Sequence, residues 1–461
     1  MFVGRVAELN ALREFYGAKG FGLAFVYGRR RIGKSALLRE SLRGIKDAKP
    51  IYWQAERVDE KMNTSSFLSA VSQATGQSYG AYPRFIDALK AVLERNKDGR
   101  IVIAIDEYPY LKRYIKGLDS SMQALIDGNG ESSQAKIVLC GSYLSSMRDS
   151  EGQNNGPLRG RSKLSINLRP LTYLEAREMV PEATIEEAFQ IYALFGGIPY
   201  YISLYNPRKS FKNNVTSLIL SDLGTLRNEP SIVLEELSDG TSANLVLQNI
   251  ATGAHDFRRI HQKAGLNSTA ATSYVLSRLA DMSLVRKEKM IGTNDFRYYL
   301  ADPFLIFYYR FIFLRQSEIF LYGEDAYFEE AIKPIWQKDV LPHRYEDLCA
   351  EYLALASRYG QGIRFVELGK ATFRHDGENG EFDIVGKSKD GIAVYECKYE
   401  KSPLSLEQVT HLEKQVEKSG LSTYVLGYFA KDAFEADALK AIKEKGYAHF
   451  LLSDIYSLKA R

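Results

Sequence analysis

The stretch Phe21–Ser35, FGLAFVYGRRRIGKS, decides how the N-terminal half is read. Leu23–Tyr27 is an apolar run of strand length. A turn begins at Gly28, and Ala36–Leu42 has the composition of a helix. The pattern G-x-x-x-x-G-K-[ST] between a strand and a helix is the context in which these residues cradle phosphates. Gly28 and Gly33 let the backbone close around a phosphate chain. The loop and helix start formed by Gly28, Arg29, Arg30, Arg31, Ile32, Gly33, Lys34, Ser35 and Ala36 make an anion-binding concavity. Lys34 is placed to reach the β- and γ-phosphates, and the Ser35 hydroxyl to coordinate Mg²⁺.

Working outward, strands recur at Leu23–Tyr27, Pro50–Gln54, Ile101–Ile105, Lys136–Cys140 and Lys163–Leu168, with helical segments between them. That alternation predicts an α/β fold over residues 1–170, a parallel sheet with helices on both faces. Ile101–Ile105 runs into Asp106-Glu107. Asp106 would hold Mg²⁺ through water, and Glu107 would orient or deprotonate the attacking water. Ser142 follows the fourth strand. It can touch the γ-phosphate or the water if that strand lies between the other two. The loop Gly156–Arg161, GPLRGR, carries Arg159 and Arg161. Either it is a solvated surface loop, or its arginines reach the γ-phosphate of a neighbouring subunit, which would require a homo-oligomer.

Composition bounds the alternatives. The chain has 461 residues, 45% of them hydrophobic and 26% charged, as in an ordinary globular protein. A formal charge of +4 neither demands nor excludes nucleic acid, so any such binding must come from local patches. Cys140, Cys349 and Cys397 are far apart in sequence and odd in number. They read as reduced thiols, and with no secretory signal pattern the expected location is cytoplasmic. No apolar stretch approaches the roughly 20 residues that span a bilayer. The nearest, Phe304–Phe313, contains Arg310 and reads as a buried helix.

The ordered set FVGR, YGRRRIGKS, IVIAIDEYPYL, IVLCGSYLSSM, PLRGR and GGIPYY resembles the archaeal-type ATPases of the AAA+/STAND P-loop group. The resemblance implies ATP as the nucleotide, and no guanine-reading NKxD motif is present. It implies a strand order that puts the Ser142 strand beside the Asp106 strand. It also implies a helical lid, residues 171–235, whose Gly-Gly-x-Pro element, here Gly196, Gly197 and Pro199, lies near the nucleotide.

Residues 236–301 predict three helices, Ala243–Ala251, Phe257–Ala264 and Thr269–Asp281, then a hairpin of Leu284–Lys289 and Phe296–Ala301. This is the pattern of a winged helix-turn-helix. Its third helix offers Ser268, Thr269, Thr272, Ser273 and Ser277, with few cations. Arg258, Arg259, Lys263, Arg286, Lys287 and Lys289 are candidates for phosphate contacts to DNA. The module could equally clamp domains or a protein partner. Residues 302–340 are an aromatic helical connector.

Residues 341–461 carry a second constellation. Glu381–Gly386 and Ile392–Lys398 predict a hairpin. A turn centred near Lys389 sets Asp383 nearly opposite Glu396, with Lys398 on the same face and Cys397 turned inward. Two carboxylates can hold a divalent metal, and an ammonium can position water or stabilise a phosphodiester transition state. The spacing D-x12-E-x-K resembles the PD-(D/E)XK nucleases, a restriction-endonuclease-like α/β fold. Asp383, Glu396 and Lys398 match that motif residue by residue, Glu346 matches the acidic residue often found on its first helix, and the usual proline before the aspartate is absent. Gln408 and Lys414 are weaker candidates for substrate contact. Three readings stay open: a nuclease, a nuclease fold kept for binding, and a hairpin with a surface salt bridge. The expectation is therefore an ATPase controlling a nuclease-like domain, or a regulatory ATPase that only binds nucleic acid or a protein partner.

Overall fold

The computed structural model describes residues 2–97, 99–129, 133–142, 147, 150–151, 156–234, 240–375 and 378–459. Tyr143–Ser146 of the motif after Ser142, and the expected boundary at 235/236, lie outside the described residues. The chain divides into two compact units. One holds Met1–Leu171 and Ile198–Tyr200, the other Thr172–Gly197 and Tyr201–Arg461.

The first unit is built on five parallel strands: β1 Gly22–Gly28, β2 Lys49–Gln54, β3 Ile101–Asp106, β4 Lys136–Gly141 and β5 Ser162–Leu168. Their order is β2-β3-β4-β1-β5. The three inner strands are buried at every residue, whereas β2 and β5 alternate with exposed positions. That follows from helices covering both faces of a parallel sheet and leaving only its rims wet. Helices α1 Val6–Gly17, α2 Lys34–Leu42, α3 Glu60–Thr75, α4 Phe85–Arg95, α5 Tyr108–Tyr114 and α6 Leu118–Asn129 supply the covering. Trp53, Phe67 and Phe85 pack ring against ring between β2, α3 and α4.

The second unit opens with α7 Tyr173–Glu178 and α8 Ile185–Phe195, each started by a reciprocal capping box. The expected lid is thus divided: its helices belong here, while Ile198–Tyr200 belongs with the phosphate loop. Next come α9 Gly240–Ala251, α10 Phe257–Ala264 and α11 Thr269–Asp281, followed by β6 Val285–Lys289 and β7 Phe296–Leu300. The two strands pair antiparallel from Val285↔Leu300 to Lys289↔Phe296. Gly265 takes the left-handed conformation (φ 62°) that ends α10, and Ser268 caps α11 through the Ala271 amide at 3.1 Å. One expectation fails here. Thr272 does not face outward: it is fully buried and shares a 2.8 Å hydrogen bond with His261.

α12 Pro303–Phe311 is the aromatic helix, buried as expected. α13 Leu341–Arg358 leads into a second sheet of β8 Phe365–His375, β9 Glu378–Ser388, β10 Ile392–Lys398, β11 Thr423–Ala430 and β12 Ala448–Leu451. The order is β12-β11-β10-β9-β8, antiparallel from β8 to β10 and parallel from β10 to β12. α14 Leu406–Ser419 and α15 Ala436–Glu444 make the parallel crossovers. The tip of the β6–β7 hairpin joins this sheet. The Ile291 amide donates to the Lys370 carbonyl at 2.9 Å, and the Ile291 side chain packs in the cluster of Ala371, Phe382 and Val394. The edge strand β8 is thereby paired at Lys370.

Candidate nucleotide site and C-terminal carboxylate cluster

The phosphate loop sits where β1 ends. Gly28 (φ 157°) approaches β5 so closely that a Cβ there would lie 2.6 Å from the Leu168 carbonyl oxygen. Gly33 (φ 94°) starts α2, and a Cβ there would lie 3.8 Å from Pro199. Arg31 holds a left-handed backbone (φ 69°) and stacks its guanidinium over Tyr200, 4.1 Å from the ring centre. Pro199 and Tyr200 therefore border the loop.

Lys34 is almost fully buried, and its ammonium donates to the Gly28 carbonyl (3.1 Å), the Arg29 carbonyl (3.0 Å) and Ser142 Oγ (2.8 Å). Ser35 Oγ donates to Asp106 Oδ2 at 2.5 Å. Asp106 is fully buried and also accepts from Tyr52 (2.7 Å) and from the Glu107 amide (2.9 Å). Glu107 has a left-handed backbone (φ 53°) at the start of α5, and Ser142 Oγ lies 3.5 Å from its Oε1. Burial raises the Glu107 carboxyl above its usual range, Asp106 adds to this, and Lys34 and Arg30 partly offset it. Because β4 runs between β1 and β3, Lys34, Ser35, Asp106, Glu107 and Ser142 converge at one end of the sheet. The oxygens of Ser35 and Asp106 are hard donors that suit Mg²⁺.

Arg161 is engaged elsewhere. Its guanidinium is bidentate on Asp127, both contacts at 2.8 Å, and it donates to the Pro157 and Arg159 carbonyls. Two residues given no role from the sequence also serve the site. Tyr52 holds Asp106 from the neighbouring strand. Arg5, in the FVGR segment, donates to the Ile32 carbonyl within the loop at 3.3 Å.

In the second unit the β9–β10 register runs through Tyr395↔Ile384, which brings Glu396 level with Asp383. Asp383 Oδ2 accepts from the Cys397 amide at 2.8 Å. Lys398 Nζ lies 2.5 Å from Glu396 Oε1, and Glu396 is nearly buried. α13 adds Glu346, also nearly buried, which accepts from Lys370 of β8 and pairs with His343 at 3.0 Å. Burial, with Glu346 and Glu396 as neighbours, pushes the Asp383 carboxyl up to about 7. Burial would also raise Glu346, but His343 and Lys370 hold it below its usual value. Among the described residues no three His, Cys, Asp or Glu side chains are grouped to hold a metal ion. The expected metal set of Glu346, Asp383 and Glu396 is thus not assembled: Lys370 and His343 take Glu346, Lys398 takes Glu396, and the Cys397 amide takes Asp383. Gln408 closes the α14 capping box with Ser405. Lys370 and His343 were not anticipated, since neither lies in the motif spacing.

Residues 2–204 match the family model described as an ATPase domain predominantly from Archaea. That match covers the phosphate loop, the Asp106–Glu107 strand and Pro199. Residues 308–415 match a second model, described as archaeal and bacterial proteins of unknown function. Over 392 residues the chain is 27% identical to an uncharacterised protein of Methanocaldococcus jannaschii, covering 84% of each. The Walker-type ATPase of Pyrococcus abyssi is similar in fold, with TM-score 0.50 and 20% identity over 67% of this chain and 96% of that one. The Aeropyrum pernix ORC2 protein aligns at TM-score 0.46 and 16% identity over 68% of this chain and 95% of that one. No helix of the described residues is long and apolar enough to cross a membrane.

Proposed function

We propose that the chain is a Mg²⁺-dependent ATPase whose nucleotide state governs a nucleic-acid-directed C-terminal domain. The observation that carries the first half is the convergence of Lys34, Ser35, Asp106, Glu107 and Ser142 at one end of the first sheet. Lys34 would exchange its carbonyl partners for the terminal phosphates of ATP. Ser35 and Asp106 would hold Mg²⁺, which when bound neutralises phosphate charge. Glu107 accepts a proton from the attacking water, and Ser142, already within reach of both Lys34 and Glu107, reports whether the γ-phosphate is present. Arg161 would act on a neighbouring subunit only after leaving Asp127. The test is ATP turnover with Mg²⁺: wild type hydrolyses, and Lys34→Ala and Glu107→Gln fall at least about a hundredfold below it. Equal turnover in all three would sink the reading.

For the C-terminal domain, the nuclease-like reading is supported by Asp383 and Glu396 lying level across the β9–β10 hairpin, with Lys398 beside Glu396. The winged-helix reading is supported by three helices and a hairpin, but Ile291 commits the wing tip to the second sheet. That favours a clamp over a groove-reading wing. The cleavage test is DNA and RNA with Mg²⁺ or Mn²⁺, with and without ATP. Loss of cleavage in Lys398→Ala with ATP turnover kept supports the nuclease. The absence of cleavage in wild type on every substrate leaves a binding domain.

A further inference from the structure

A cavity of about 450 Å³ opens within the second unit, between the three-helix-and-hairpin module, α12 and the start of the C-terminal domain. That volume is in the range that encloses small organic ligands, roughly 300–1,000 Å³. Four cationic side chains reach it from four elements: Arg286 of β6, Arg310 of α12, Arg344 of α13 and Lys370 of β8. The lining carboxylates are three, Asp339, Asp347 and Glu381. Asp347 is shared by two of the cations, Arg286 at 3.0 Å and Arg344 at 2.5 Å. Arg310 pairs with Asp339, and Lys370 with Glu346 behind the wall. Arg286 Nε also lies 3.1 Å from Glu288, though without the alignment of a hydrogen bond. The buried Nε of Arg344 has no hydrogen-bond partner, so donor capacity at this wall is unused.

The lining also has an apolar part, with Ile250, Leu300, Ile306 and Val340. Tyr299 also lines it, its ring 4.6 Å from that of His255 and 5.5 Å from the Arg286 guanidinium. A cavity lined by guanidinium forks together with aliphatic side chains and a tyrosine ring has the two kinds of contact a phosphate ester needs. Guanidinium groups match the oxygens of a phosphate in pairs, and a planar body gains from the aromatic and aliphatic wall.

We propose that this cavity binds a small phosphate monoester with an aromatic or apolar body. The site is separate from the ATP loop and independent of whether the C-terminal carboxylates cut nucleic acid. The test uses the full chain carrying Lys34→Ala, so that binding at the ATP loop is suppressed, titrated calorimetrically with phenyl phosphate, AMP and inorganic phosphate. The expected result is one saturable site, tighter for at least one of the two esters than for inorganic phosphate. Adding Arg310→Gln should weaken that ester at least tenfold. Adding Ile306→Trp, which fills the apolar part and leaves every charge in place, should weaken the ester while sparing inorganic phosphate. Circular dichroism and thermal unfolding confirm that each variant is folded; if one is not, the other decides. No saturable binding, inorganic phosphate bound as tightly as either ester, or binding indifferent to both folded variants would overturn the proposal.

Discussion

Ser35 Oγ donates to Asp106 Oδ2 at 2.5 Å, joining the phosphate loop to a strand two places away in the sheet. Asp106→Asn keeps an oxygen to accept from Ser35 and Tyr52 but removes the charge. Its NH2 group faces the Glu107 amide N–H, from which the second carboxylate oxygen accepts in the wild type, so ligand-free stability to thermal unfolding should fall by about 1–3 kcal/mol. The effect of Mg²⁺ on ATP affinity should disappear, because the hard anionic oxygen is gone. Titration of fluorescent ATP with and without Mg²⁺ checks this; an undiminished Mg²⁺ effect would mean the cation is held elsewhere.

Glu107 makes a separate prediction. Glu107→Gln should lower ATP turnover by on the order of 10²–10⁴-fold while ATP still binds. Its carboxyl is raised by burial, and only the ionised form can take a proton. Turnover should thus rise with pH through a midpoint above the ordinary carboxylate value of about 4.3, and the Gln variant should lose that limb. A profile with the same acid limb in wild type and variant would assign the limb to another group.

Glu351 of α13 is largely buried and accepts from Tyr192 Oη at 2.7 Å and from the Tyr173 amide at 3.2 Å. Burial pushes its carboxyl up to about 7. The folded chain therefore keeps a proton that the unfolded chain releases. Stability from this group is present below the unfolded value and is lost as pH rises towards 7, by at most about 3 kcal/mol. Glu351→Gln, which retains an acceptor for Tyr192, should flatten that slope and unfold later than wild type at pH 8. Parallel pH slopes for the two would refute the assignment.

How much of this was legible follows from what kind of signal each feature leaves. The five strands of the first sheet could be read because inner parallel strands are continuous apolar runs, and the Asp106 and Lys34 sites because they sit at fixed offsets from those runs. The hairpin register that levels Asp383 with Glu396 was readable from period-two alternation and turn length. Lys370 was not, because it acts on Glu346 from another strand, and side-chain pairing across elements has no sequence spacing; His343 stands three residues before Glu346 on one helix, a spacing the sequence does offer. Thr272 was misplaced for a related reason. A hydroxyl counts as polar in a helical pattern, but His261 gives it a partner and lets it face the core. The engagement of Arg161 by Asp127 was hidden in the same way, since the partner lies on a helix 34 residues earlier.

The hairpin tip supplies the last prediction. In a wing that reads nucleic acid, the tip is solvated and its truncation weakens binding without touching the fold. Here Ile291 is 5% exposed and belongs to the hydrophobic cluster of the second sheet, with its amide on the Lys370 carbonyl of the edge strand. Ile291→Ala should therefore cost about 2–4 kcal/mol, the range for removing a buried aliphatic side chain. Ile291→Asp should cost more, because a carboxylate would be buried without a partner. Both variants should unfold at lower temperature and expose β8 to limited proteolysis. Lys289→Ala, exposed on β6, should leave stability within about 0.5 kcal/mol, and Lys287→Ala, which gives up its contact with the Phe296 ring at 4.3 Å, within about 1 kcal/mol. If the module also holds DNA, the lysine variants should reduce retention and flatten its salt dependence, by about one unit of slope for each phosphate no longer neutralised. Ile291→Ala, assayed below its unfolding temperature, should leave retention unchanged. Unaltered unfolding of Ile291→Ala together with weakened DNA retention would reverse the assignment and make the tip a nucleic-acid contact.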